Sequence, residues 1–184
     1  NLFLAGKCMS EVRSSQGIND VESLLLNRLK DLTGYDLGYF YELHTKDAEL
    51  VCEIRIQAVK IVATIWRYEP LTYTWLKQTA VSNGSWEVRG NALQQIASVW
   101  KEEPGILEFL KQRVVSDESE AVQYAAIRQI ASVWKEEPGI LDLLKQWVVS
   151  HESELVQSEA VEQIASGWKQ EPGILDLLKQ RVVS

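Results

Sequence analysis

Trp66, Trp100, Trp134 and Trp168 stand 34 residues apart, and Pro70, Pro104, Pro138 and Pro172 keep the same interval. A fixed period of this length constrains the fold more than any local propensity. Each unit is one supersecondary element that cannot bury its apolar face alone and must stack on its neighbours. The period divides the chain into four units, 49–82, 83–116, 117–150 and 151–184, behind a looser leading segment, 1–48. The last two units agree at about 25 of 34 positions, which points to recent duplication.

One unit reads as two helices and a corner. In 117–150 the residues Val122, Ala126, Ile127, Ile130, Val133 and Trp134 recur at spacings of three and four, an amphipathic stripe. Asp117 or Ser119 is placed to cap its start, and Glu118 and Glu120 suit the positive end of the helix dipole. Pro138 ends this helix, since the residue before a proline is pushed out of the helical region, and its fixed φ suits the first position of the next helix. A second helix over about 139–149 then carries Ile140, Leu141, Leu144, Val148 and Val149. The long helices are expected at 51–67, 85–101, 119–135 and 153–169. Each tryptophan is expected to be buried at the corner, with its indole N–H on a free carbonyl of the helix end.

The leading segment follows the pattern more loosely. Phe3, Leu4, Cys8, Met9 and Val12 make one helical face, and Val21, Leu24, Leu25, Leu29 and Leu32 another, with Asp20 as a cap. This is a degenerate first repeat. An aromatic loop with Tyr35, Tyr39, Phe40 and Tyr41 follows, which either folds back on the stack or meets a partner.

Charge and cysteine content narrow the function classes. Nineteen basic residues against 26 acids give a net charge of −7, the wrong sign for a phosphate-backbone partner. No apolar run is long enough for a bilayer. The opening NLFLAG has no basic leader and meets Lys7 early, which argues against a signal peptide. Cys8 and Cys52 lie in unrelated contexts, as expected of free thiols in a reducing cytoplasm. The chain begins at Asn1 and stops at the end of a repeat, as a piece of something longer would. An interior-like final helix with Ile174, Leu175, Leu178 and Val182 then predicts end-to-end self-association.

No catalytic constellation is legible. Ala5-Gly6-Lys7-Cys8 lacks the upstream glycine and the hydroxyl of a phosphate loop. His44 and His151 have no partner at zinc-ligand spacing, and His151 takes the place of Asp117, a solvated turn position. Glu102–Glu103 and Glu136–Glu137 repeat with the fold at a solvated corner, whereas acid–base pairs need two different environments. Asn83-Gly84-Ser85 matches a glycosylation acceptor but reads as a turn. The expectation is therefore no enzyme, no metal and no cofactor.

Two stretches carry a family resemblance. SDESEAVQYAAIRQIA resembles the second helix of a HEAT repeat, an acidic turn followed by V-x-x-x-A-x-x-x-I/L. QQIASVWKEEPGILEFLKQRVV and the opening LFLAGKCMSEV resemble the helical region that follows the nucleotide-binding module of bacterial NACHT-type NTPases. The tetratricopeptide family shares the period, but its W-x2-L-G-x2-Y start is absent. The resemblance implies an all-α, right-handed α-solenoid of HEAT-like helix pairs that serves as a sensor and scaffold arm, with the NTPase controlling oligomerisation.

The positions where near-identical repeats disagree are the candidates for recognition. Along the long helix the eighth reads Ile56, Gly90, Tyr124, Ser158; the ninth Gln57, Asn91, Ala125, Glu159; the twelfth Lys60, Gln94, Arg128, Glu162. Spacings of three and four put them on one side of the helix, which the resemblance places on the concave surface. That ribbon either selects a protein or peptide ligand or records drift on a solvated face. Trp147, at a slot that holds Thr79, Arg113 and Arg181 elsewhere, is expected to be exposed, as an edge contact or a binding anchor. The resulting reading is a non-catalytic interaction scaffold, part of a larger signalling NTPase. Its rivals are an accessory subunit of a lyase or DNA-repair enzyme and a spacer without ligand.

Overall fold

The computed structural model describes residues 2–9, 11, 19–36 and 46–174. Every helix and turn among them is helical in type, with no strand. The helices are α1 (Leu2–Met9), α2 (Asn19–Asp31), α3 (Lys46–Ile65), α4 (Pro70–Ser82), α5 (Trp86–Val99), α6 (Ile106–Ser116), α7 (Glu120–Val133), α8 (Ile140–Ser150) and α9 (Glu154–Gly167), with a 3-10 turn at Leu32–Gly34. They form two compact units, 1–99 and 100–184. Tyr39, Phe40, Tyr41, His44, Val12 and the stretch beyond Ile174 where the last short helix was expected lie outside the described residues.

In the first unit α3 packs on α5, α4 on α5, and α1 and α2 on α3. Its leading part centres on Leu25, Leu29, Ile61, Val62 and Trp66, with Leu2, Phe3, Met9, Leu26 and Leu32 packed against them. The expected faces were turned: Leu4, Val21 and Leu24 are exposed. The inward stripe of α2 runs Glu22, Leu25, Leu26, Leu29, because Trp66 donates its indole N–H to Glu22 Oε1 at 3.0 Å and draws that acid inward. The tryptophan thus reaches a carboxylate of another helix rather than a carbonyl of its own. Asp20 sits inside the first turn of α2, not ahead of it. Gly6 lies where α1 meets its neighbours. A Cβ there would meet Ile61 Cγ2 at 2.9 Å and Leu29 Cδ1 at 3.2 Å, so this glycine is a packing residue.

In the second unit α6 packs on α7, α7 on α9, and α8 on α9. The long helices bury Val122, Ala126, Ile127 and Ile130 on one side and Val156, Ala160 and Ile164 on the other, all with no exposed surface. Trp66, Trp134 and Trp168 are buried and Trp100 is half-buried. The three long helices α5, α7 and α9 end one residue before their tryptophan, as does α3.

The corners differ from the expectation in an instructive way. Pro70 does open α4, but α6 and α8 begin two residues after Pro104 and Pro138. The difference is the next residue. Gly105, Gly139 and Gly173 adopt φ of 82°, 87° and 82°, where the first unit has Leu71. In Glu137-Pro138-Gly139-Ile140 the Ile140 N–H donates to the Glu137 carbonyl at 3.3 Å. With Gly139 at φ 87°, ψ −7°, this is a type II turn, Pro second and Gly third. Leucine does not take that left-handed conformation cheaply, so the chain enters the helix at Pro70 instead and α4 is two residues longer than α6 or α8.

The turns between repeats share one hydrogen-bond pattern. The first residue of a unit accepts from the N–H two residues on: Asn83 Oδ1 from Ser85 at 3.0 Å, Asp117 Oδ1 from Ser119 at 3.0 Å, His151 Nδ1 from Ser153 at 3.1 Å. The carbonyl of that residue accepts from a side chain six further on: Arg89 Nη1 at 2.8 Å, Gln123 Nε2 at 2.7 Å, and Gln157 Nε2. His151 is therefore a half-buried structural residue, not a solvated one. Because its Nδ1 accepts, its Nε2 carries the proton and donates to the Val114 carbonyl at 3.2 Å.

Two stability outcomes follow. Nothing lies within 4 Å of a Cβ at Gly139, so Gly139→Ala meets only the conformational penalty and is expected to lower the unfolding free energy by about 1 kcal/mol. His151→Ala, which loses the Ser153 N–H acceptor, is expected to cost a further measurable ~1 kcal/mol, with His151→Asp recovering most of it as Asp117 does. Urea midpoints of the variants check both.

Candidate protein-binding surface

The long helices place the variable positions on one side, as their spacing requires. On α3, Ile56, Gln57 and Lys60 are half-buried; on α5, Gly90 and Asn91 are half-buried and Gln94 is exposed. Asn91 Oδ1 is enclosed without a hydrogen-bond partner. On α7, Tyr124 and Ala125 are half-buried and Arg128 is exposed; on α9, Ser158 and Glu162 are exposed. Glu159 departs from the rest, at 1% exposure.

In the second unit α7 and α9 bring four of these residues together. Tyr124, Arg128 and Glu162 all act electrostatically on Glu159. Gln163 Nε2 donates to Glu159 Oε1 at 2.8 Å, while Oε2 is enclosed and has no direct hydrogen-bond partner. Burial pushes the Glu159 carboxyl above its ordinary range, and Glu162 adds to this. Gln163, Tyr124 and Arg128 pull the other way. Burial also raises the Tyr124 phenol, followed by the neighbouring Glu159. The face therefore carries an aromatic hydroxyl, a guanidinium and two acids within one patch, one acid being held in an unfavourable environment.

Trp147 is the sequence expectation that geometry overturns. It is buried, 6% exposed, on a helix that packs on α9. Its edge lines an open groove of about 520 Å³ at the ends of α6 and α8 and the starts of α7 and α9, together with Val115, Glu120, Gln123, His151 and Glu152. Sequence reasoning missed this groove. The change from Arg113 to Trp147 was visible, but the direction of the side chain was not. Among the described residues, no group of three or more His, Cys, Asp or Glu side chains is arranged to hold a metal ion. No described helix is long and apolar enough to cross a membrane.

These helix pairs, with an acidic turn, a long helix that packs on its successor and a proline corner, agree with the comparison to known families. A family model described as HEAT repeats matches residues 73–165 and again 107–184. The chain belongs to the HEAT repeat family. Its fold class is accordingly all-α, that of the α-solenoids. HEAT repeats commonly mediate protein–protein interaction and are typically non-catalytic scaffolds. Comparisons with curated proteins and with solved structures find no significant match.

The environment of Glu159 gives this HEAT-repeat chain a defined pH response. A carboxyl whose pKa is raised by folding makes the native state take up its proton before the unfolded state does. Its penalty is present at neutral pH and is relieved as pH falls through the folded pKa. Glu159→Gln is expected to raise stability near neutral pH by about 1 kcal/mol. That gain should shrink to nothing once the acid is protonated in both states. Thermal melts from neutral to acidic pH measure the convergence; a Gln variant less stable at neutral pH would contradict the burial cost.

Proposed function

We propose that this HEAT-repeat chain is a non-catalytic interaction and sensor scaffold whose ligand, a protein or peptide, is selected by the variable face of the long helices. The observation that carries the reading is the contrast within one helix. In α7 and α9 the repeated positions Val122, Ala126, Ile130, Val156, Ala160 and Ile164 are sealed. Tyr124, Arg128, Ser158 and Glu162, which differ between nearly identical units, reach the surface or its edge. Ile56, Gln57, Lys60, Gly90, Asn91 and Gln94 continue the same positions on α3 and α5, and Glu159 holds the ninth position of α9. In this reading 1–48 is a degenerate leading repeat and 49–184 holds the four units. Within the second unit the sign changes from Arg128 to Glu162, which favours a ligand with a fixed polarity.

The parent we propose is a larger bacterial signalling NTPase of NACHT type acting in the cytoplasm. The wording of QQIASVWKEEPGILEFLKQRVV and LFLAGKCMSEV supports it, as do the two unpaired cysteines, Cys8 and Cys52. A phosphate-binding loop encoded upstream of Asn1 is the expected finding, and a parent without one would overturn this assignment.

The face itself is tested in the parent protein with its own binding partner. Replacing Tyr124, Arg128 and Glu162 together by alanine is expected to weaken binding by at least about 2 kcal/mol, the scale of one aromatic hot spot. The melting temperature should hold for Arg128→Ala and Glu162→Ala, since exposed substitutions shift stability by less than about 0.5 kcal/mol, and the packing loss at half-buried Tyr124 is read separately in the same melts. Unchanged affinity would remove the face as the binding surface.

A further inference from the structure

The ninth position of the long helix holds Gln57, Asn91, Ala125 and Glu159 in successive units, and Glu159 is the one that ionises. The first three are half-buried, whereas the fold closes over Glu159 to 1% exposure. Its two oxygens stand in different environments. Oε1 accepts from Gln163 Nε2 at 2.8 Å, while Oε2 is sealed and accepts no hydrogen bond. A proton taken up from solvent therefore belongs on Oε2, the oxygen with spare capacity, and leaves the Gln163 contact in place. Asn91 supplies the neutral counterpart on α5, since its Oδ1 is likewise sealed without a partner. A protonated carboxyl resembles that amide in charge, and a carboxylate does not.

Among the described helices α9 packs on α7 and α8. From α7, the Tyr124 hydroxyl and the Arg128 guanidinium both favour the ionised form of Glu159, and from α9 itself Glu162 opposes it. From α8, the ionisable side chains Asp142 and Lys145 pair with each other at 3.7 Å. Burial is the largest influence and holds the Glu159 carboxyl above its ordinary range, so the proton arrives under mild acidity rather than with acid unfolding. Tyr124 is half-buried and Arg128 exposed, so both belong to the variable face while interacting with a charge beneath it. Once that charge is neutralised, the attraction for Arg128 is lost. The phenol then has no anion to donate to, because Oε2 carries a proton of its own.

We propose that Glu159 is a proton switch for the variable face: ionised, it holds Tyr124 and Arg128 toward α9, and protonated, it releases both side chains to a ligand. The proposal rests on the reading of this face as the binding surface and adds its regulation. Its test needs no ligand. The isotope-labelled chain of residues 1–184 is titrated from neutral to acidic pH, following the Glu159 carboxyl carbon, the Arg128 Nε–H and the three-bond couplings that report the χ1 rotamer of Tyr124. The Tyr124 rotamer populations and the Arg128 signal should change together, with the midpoint of the Glu159 carbon and above the ordinary carboxylate range. Glu159→Gln should abolish both steps and keep Tyr124 in the released rotamer at every pH, while Glu162→Gln should leave the Tyr124 step in place. Couplings of Tyr124 that stay constant while Glu159 titrates would show a charge felt without motion and would overturn the proposal. A Tyr124 step that survives Glu159→Gln, or a Glu159 midpoint inside the ordinary range, would overturn it as well. If Glu159→Gln fails to fold, the wild-type couplings decide. A failed switch in a chain whose Tyr124, Arg128 and Glu162 replacement still loses its partner removes only the regulation.

Discussion

An alanine stands at the tenth position of every 34-residue unit, Ala58, Ala92, Ala126 and Ala160, and none of the four exposes any surface. It sits in the middle of each long helix, and long helix packs on long helix within each compact unit, α3 on α5 and α7 on α9. The side chains at a helix crossing set the distance between axes, roughly 8–10 Å. A small residue among the sealed Val122, Ile127 and Ile130 leaves room for a packed helix to come close. The stacking of otherwise incomplete helix pairs depends on this close approach, since no unit buries its stripe by itself.

That constraint divides each long helix into two sets of positions. The sealed set cannot change without leaving a cavity or forcing the helices apart, so it repeats. The other set is half-buried or exposed, and there the units differ: Gly90 and Gln94 on α5, Tyr124 and Arg128 on α7, Ser158 and Glu162 on α9. A repeat family built this way presents a chemically distinct strip on each copy of a common frame, which suits recognition of proteins rather than catalysis. Glu159 is the exception that marks the boundary, a variable position that burial has reached.

Most of the architecture was legible because it rests on periodic information. The stripe at three and four spacing located the long helices, and the burial of Trp66, Trp134 and Trp168 followed from their place at the corner. What failed depended on single side chains and their directions. The Pro-Gly corners were misread because proline at a helix start is a good rule, and only the φ of Gly105 and Gly139 shows that the glycine overrides it. His151 looked solvated because it replaces an aspartate. The replacement works through one ring nitrogen that mimics the carboxylate oxygen of Asp117, a match that sequence spacing does not encode. Trp147 looked exposed because arginine occupies the slot in other units, yet a long side chain can lie along a surface that a ring closes over. The leading segment was turned by about one residue per helix because an acid, Glu22, belongs to its inward stripe, held there by the indole of Trp66.

The division between packing and variable positions is tested most directly by urea unfolding of two variants two residues apart on α7. Ala126→Leu should lower the unfolding free energy by about 1–3 kcal/mol, the usual cost of overpacking a sealed site. Arg128→Ala should shift it by less than about 0.5 kcal/mol, as exposed substitutions do. Equal effects of the two, or a larger loss at Arg128, would contradict the account that the alanine sets the spacing of the long helices and leaves the face beside it free for recognition.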